Sequence, residues 1–146
     1  MKILIPDAQF SGSADIEHNA FDKDVTIEVY RCTAAEDIPA VSWSRCDVLL
    51  AWQDIAIDET VISKLDNCQI IVRCGIGYDR VDLNACGDRG IPVCNVPTYD
   101  FTDVMSSTLA MALALMRGLF TYDQLLKSDL AGGWEWGRAP EMRRVR

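Results

Sequence analysis

The chain has 146 residues, of which 49% are hydrophobic and 25% charged, with a formal net charge of −8. That is the composition of one ordinary globular domain with a real core, and its acidity disfavours a nucleic-acid reader. No signal pattern follows Met1 and the longest apolar run, Leu109 to Met116, is too short for a bilayer, so the expectation is a cytoplasmic protein with no membrane partner.

In chain order, Lys2 to Pro6 (KILIP) reads as a first strand, followed by a polar loop segment from Asp7 to Asp24 that contains the sole histidine, His18. Val25 to Tyr30 alternates and is β-branched, the pattern of a second strand. Ala34 to Trp43 holds a weak helix interrupted by Pro39, and Asp47 to Trp52 is a continuous apolar run, as in a strand buried on both faces. Asp58 is an N-cap candidate for a helix through Leu65. Gln69 to Arg73 and Pro92 to Val96 are the fourth and fifth strands, joined through a short helix from Val81 to Asp88 that ends at Arg89-Gly90 in the manner of a glycine C-cap. This alternation predicts an α/β fold, a flavodoxin-like, doubly wound parallel sheet of five strands. We divide the chain into a domain over 1–100, a long apolar helix over 101–127 and a loop or linker over 128–146.

The helix is the anomaly. From Thr102 to Lys127 nothing breaks it except Gly118, and its middle, LAMALALM, is apolar on every side. Such a helix must be buried all round, so it predicts a partner surface, another domain or a second copy of the chain.

Six cysteines, at 32, 46, 68, 74, 86 and 94, include no C-x-x-C pair, and with one histidine they form no zinc constellation. Reduced thiols packed as small hydrophobes are expected, with Cys46, Cys74 and Cys94 in or beside apolar runs.

The chemistry concentrates between Gln69 and Pro97. Gly75-Ile76-Gly77 follows a strand, but a G-x-G-x-x-G fingerprint would need glycine where Arg80 stands. The turn can instead capture an anion on the bare N–H groups of Ile76 and Gly77, or simply be a tight turn needing positive φ. Arg73, a charge within an apolar run, either joins that anion site or pairs with Asp79 or Asp82. Tyr99 is either a pocket wall or an exposed loop tyrosine. No G-x-S-x-G elbow exists, and the acid pair and lysine of a receiver domain are missing around Asp7, Asp47 and Asp54.

Taken together, VRCGIGYDRVDLNACGDRGIPVCNVPTYD, STLAMALALMRGL and the later GGW resemble the substrate-binding domain of the D-isomer-specific 2-hydroxyacid dehydrogenases. The likeness is greatest to their C-terminal-binding-protein-like branch, which has an arginine two residues before the glycine turn. The resemblance implies that the amides of Ile76 and Gly77 hold the carboxylate of a small 2-oxo or 2-hydroxy acid, that Arg73 also faces this substrate, and that Tyr99 stands at the pocket wall. It also implies that Thr108 lies near the nicotinamide of NAD, and that 101–127 is an interdomain helix meeting a Rossmann domain or forming a homo-oligomer. In this family the cofactor motif and the catalytic arginine, glutamate and histidine follow the equivalent of MRRVR. The 146 residues are therefore expected to be inactive alone, as the substrate-binding part of a dehydrogenase. A stand-alone module that binds small carboxylates or another protein is the alternative.

Overall fold

The computed structural model describes residues 1–21, 24–98 and 101–129. Two compact units divide the chain, Met1–Tyr99 and Asp100–Arg146.

In the first unit the short apolar runs become strands because each can bury a side chain on either face of a sheet. They are β1 (Lys2–Ile5), β2 (Thr26–Val29), β3 (Val48–Ala51), β4 (Ile70–Arg73) and β5 (Val93–Asn95). All pair in parallel in the order β2-β1-β3-β4-β5, the flavodoxin-like arrangement expected from the alternation of elements. The register aligns Leu4 with Leu49, Leu49 with Ile71, and Ala51 with Arg73.

Leu4, Leu49 and Ile71 point to one face and are completely covered by Trp43, Ile57, Ile62 and Leu65. Each such side chain contributes about 1.5–3 kcal/mol by leaving water. Ile3 and Ile5 point to the other face, with Ala8, Ala14, Val48, Leu50 and Trp52. Cover there is thinner, and Val48, Leu50, Ile70 and Val72 remain half-buried.

The helices over the first face are short: α2 (Ala40–Arg45), α3 (Glu59–Ile62) and α4 (Leu83–Asp88), numbered after α1 (Asp15–Ala20). Pro39 stands at the N-cap of α2 rather than inside a helix, where its missing N–H costs nothing. A single 3₁₀ turn, Ala35–Asp37, precedes it, tied to α2 by the Trp43 indole N–H on the Ala35 carbonyl (3.3 Å). Asp58 caps α3 as expected, its carboxylate accepting from Val61 N at 3.0 Å. Gly90 adopts φ 66° just past α4, the left-handed end of a glycine C-cap.

Three expectations fail. The polar stretch around His18 contains α1, whose acidic first turn (Asp15, Glu17) and His18 in the last turn suit the helix dipole despite weak apolar periodicity. Cys94 is exposed, because β5 is an edge strand; Cys46, Cys68 and Cys86 are buried, and all six thiols are free. The long helix of the second unit is two helices, α5 (Phe101–Met116) and α6 (Leu119–Ser128), bent by 62° where Gly118 takes φ 63°. No single helix among the described residues is long and apolar enough to cross a membrane. Within its unit α5 buries no residue, and Val104, Met105, Leu109, Met111, Leu113 and Leu115 are all exposed.

Candidate functional site

The loops that leave the carboxyl ends of β1, β3, β4 and β5 meet at one edge of the sheet, where open α/β sheets hold their ligands. The glycine turn after β4 lies there. Neither Gly75 nor Gly77 has positive φ, so the turn does not need glycine for its backbone conformation. Gly75 is small for another reason. A Cβ at 75 would strike Nη1 of Arg73 and come within 3.0 Å of its Cζ and 3.2 Å of its Nη2. The guanidinium therefore lies folded back over the turn.

Arg73 is only 7% exposed. Its Nη2 donates to Oε1 of Gln53. Pairing with Asp79 or Asp82, the other reading of this arginine, does not occur. Asp79 sits beside Gly77, and the Asp82 carboxylate accepts from Asn84 N and Ala85 N, both at 3.0 Å.

Two bonds from the β5 side orient the turn. Val96 N donates to the Gly75 carbonyl at 3.0 Å, and the Asn95 side-chain amide donates to the Ile76 carbonyl at 2.8 Å. In a planar trans peptide the N–H points opposite to the preceding C=O, and no cis bond occurs among the described residues. Drawing both carbonyls towards β5 thus turns the N–H groups of Ile76 and Gly77 away from it. Neither N–H finds an acceptor among the described residues. Two open amides and a guanidinium folded over the same turn form a donor set suited to a small anion.

The loop after β3 forms the adjoining wall. Asp7, 1% exposed, accepts from three backbone N–H groups of that loop: Trp52 (2.9 Å), Asp54 (2.8 Å) and Ile55 (3.1 Å). A buried carboxylate is tolerated because those donors replace water. Arg80 ties the same loop to the glycine turn, donating to the Asp54 carbonyl at 3.0 Å while its own carbonyl accepts from Ile57 N at 2.8 Å. Cys74, half-buried next to Arg73, has its thiol pushed up to about 11 by burial, against the opposing pull of the Arg73 charge.

Arg73, Ile76 and Gly77 thus share one edge of the first unit. Tyr99 lies outside the described residues. Thr108 belongs to the second unit, on α5, where its hydroxyl donates to the Val104 carbonyl at 2.7 Å. Gln53, Asp7 and Asn95 were missed as site residues. The available signal was positional: Asp7 and Gln53 each follow an apolar strand at its carboxyl end.

The glycine turn does not fit the pyrophosphate of a dinucleotide. Such a group sits on an open helix N-terminus directly after the turn. Here α4 begins only at Leu83, and the Asp82 carboxylate already occupies its first free amides. A groove of about 380 Å³ beside α3 and α4 has three carboxylates, Glu59, Asp82 and Asp88, against one guanidinium, Arg89, which already donates to the Ile62 and Leu65 carbonyls, so its net charge disfavours anions.

The sequence model for the D-isomer specific 2-hydroxyacid dehydrogenase catalytic domain matches residues 8–109. Glyoxylate/hydroxypyruvate reductase A HPR2 of Arabidopsis thaliana is 35% identical over 80 residues, covering 55% of this chain and 25% of the relative. D-3-phosphoglycerate dehydrogenase of Archaeoglobus fulgidus is 26% identical over 136 residues, covering 92% of this chain and 24% of the relative. Among solved structures, D-lactate dehydrogenase from Aquifex aeolicus, complexed with NAD and lactic acid, superimposes with a TM-score of 0.77 at 22% identity. That match covers 86% of this chain and 37% of that one. The chain thus spans about a quarter of the length of these two curated relatives.

Proposed function

The chain belongs to the D-isomer specific 2-hydroxyacid dehydrogenase family, and from that premise we propose that its first unit binds the carboxylate of a small 2-oxo or 2-hydroxy acid. The observation that carries this reading is the donor set at the carboxyl end of β4. The open N–H groups of Ile76 and Gly77 would donate to the carboxylate oxygens of the acid, and the Arg73 guanidinium over Gly75 supplies the opposite charge.

Binding and orientation are what these residues contribute to hydride transfer in an NAD-dependent dehydrogenase. That reaction also needs a nicotinamide held against the substrate carbon and an acid–base group within hydrogen-bond reach. The glycine turn does not fit the cofactor, and on this reading NAD is held by a Rossmann partner domain, as the family resemblance implies. Thr108 would lie near the nicotinamide there, as the family resemblance implies. On this reading the 146 residues bind substrate and are catalytically silent alone.

A second reading is favoured by α5, which carries large apolar side chains yet buries none of them within its unit. That surface suits a second copy of the chain or a separate Rossmann chain, and it also suits a stand-alone interaction module.

Thermal unfolding tests the first reading. Pyruvate should raise the melting temperature of the 146-residue chain, while neutral pyruvamide should not, and Arg73→Ala should abolish the shift. Equal melting curves with pyruvate and pyruvamide would overturn it. NADH and pyruvate added to the chain alone should give no oxidation above background, and measurable turnover would contradict catalytic silence.

A further inference from the structure

A buried cation is ordinarily matched by a carboxylate. Arg73 is not. At 7% exposure its guanidinium meets the neutral amide oxygen of Gln53, and no carboxylate stands within ion-pair distance among the described residues.

The amide is itself held in place. Gln53 lies in the loop whose neighbouring N–H groups, at Trp52, Asp54 and Ile55, are all taken up by the Asp7 carboxylate. The charge of Asp7 is thus taken up by backbone, one step away from the arginine. A side chain without charge makes the direct contact.

We propose that Gln53 is the positioning residue of the cradle: its amide oxygen aims Arg73 over the glycine turn without neutralising it, leaving a whole positive charge for the incoming carboxylate. The proposal rests on the carboxylate-binding reading above. A glutamate at 53 would hold the guanidinium more strongly, through a charge-assisted bond, but would consume the charge that the ligand requires. An alanine would leave the charge and release the aim. Position 53 must therefore hold and yet remain neutral, a combination that an amide meets. Because Gln53 is exposed, its replacement leaves the core intact.

The test uses the full 146-residue chain with Gln53→Ala and Gln53→Glu, and two NMR readouts. The first is the guanidinium ¹⁵N–¹H signals of Arg73, assigned with Arg73→Lys. They should be resolved and slowly exchanging in the parent and in Gln53→Glu, and averaged in Gln53→Ala. Unchanged signals in Gln53→Ala would overturn the positioning role. The second is a pyruvate titration followed on the amides of Ile76 and Gly77. Both variants should bind at least about tenfold more weakly, Gln53→Ala from lost aim and Gln53→Glu from lost charge. Parent-like affinity in Gln53→Glu would overturn the requirement for neutrality. No pyruvate response in the parent would overturn the carboxylate reading and the role of the free charge with it. The guanidinium signals would still decide whether Gln53 positions Arg73.

Discussion

The amide of Gln53 and the guanidinium of Arg73, twenty positions apart in sequence, meet at the carboxyl ends of two neighbouring parallel strands. The strand register creates the meeting. Ala51 and Arg73 are partners in the ladder, so the loop that leaves β3 passes directly beside the side chain that ends β4.

Two glycines near this edge are small for different reasons, and their alanine variants should separate them. At Gly75 a Cβ meets the far end of the Arg73 side chain, which can swing aside. Gly75→Ala should therefore cost less than about 1 kcal/mol in urea unfolding, while weakening pyruvate binding by displacing the guanidinium. At Gly90 a Cβ meets nothing within 4 Å, but φ is 66°. Gly90→Ala should cost about 1–2 kcal/mol from backbone strain alone and leave pyruvate binding unchanged.

Removing the Asp7 carboxylate deprives three N–H groups of their acceptor at once. Asp7→Ala should lower unfolding stability by about 3 kcal/mol. Asp7→Asn should recover only part of that, because one of its two polar atoms is a donor facing donors. Urea denaturation of both variants measures the order.

The thiols should react unequally. Cys94 is exposed and should be alkylated by iodoacetamide first, whereas the raised Cys74 thiol resists at pH 8. The sign follows from burial. The folded state holds the Cys74 proton more tightly than the unfolded chain, so stability is intact below the ordinary thiol value of 9.0 and falls as pH rises from there to about 11. Cys74→Ala should flatten the alkaline end of the stability–pH curve.

For α5, light scattering of the chain should show dimers or larger species. Leu109 and Leu113 are exposed and one helical turn apart. The double variant Leu109→Lys, Leu113→Lys should shift the population towards monomer. A parent that is already monomeric would count against the contact.

Local order along the chain was legible in the sequence for physical reasons. Short apolar runs between turn residues mark buried parallel strands, and Asp58, Gly90 and the Gly75–Gly77 turn announce themselves by chemistry that acts within a few residues. Ile76, Gly77 and Arg73 could be suspected as one site because they are neighbours on a single strand and its turn. The kink at Gly118 was visible as a glycine but not as a bend, since a glycine inside an apolar helix costs only about 1 kcal/mol and is compatible with either outcome.

What only the tertiary structure decided is the support of that site. Asp7 grips a loop 45–48 positions away, Gln53 reaches Arg73 across twenty, and Asn95 pins Ile76 across nineteen. No local periodicity records such pairings, because they arise when parallel strands far apart in sequence bring their carboxyl ends to one edge. Composition and spacing determined that this chain folds as a five-stranded α/β sheet with a glycine turn at the end of β4. The sheet's register decided that the turn's charge would be aimed by a neutral amide, because ladder pairing, unlike sequence spacing, sets which loops become neighbours.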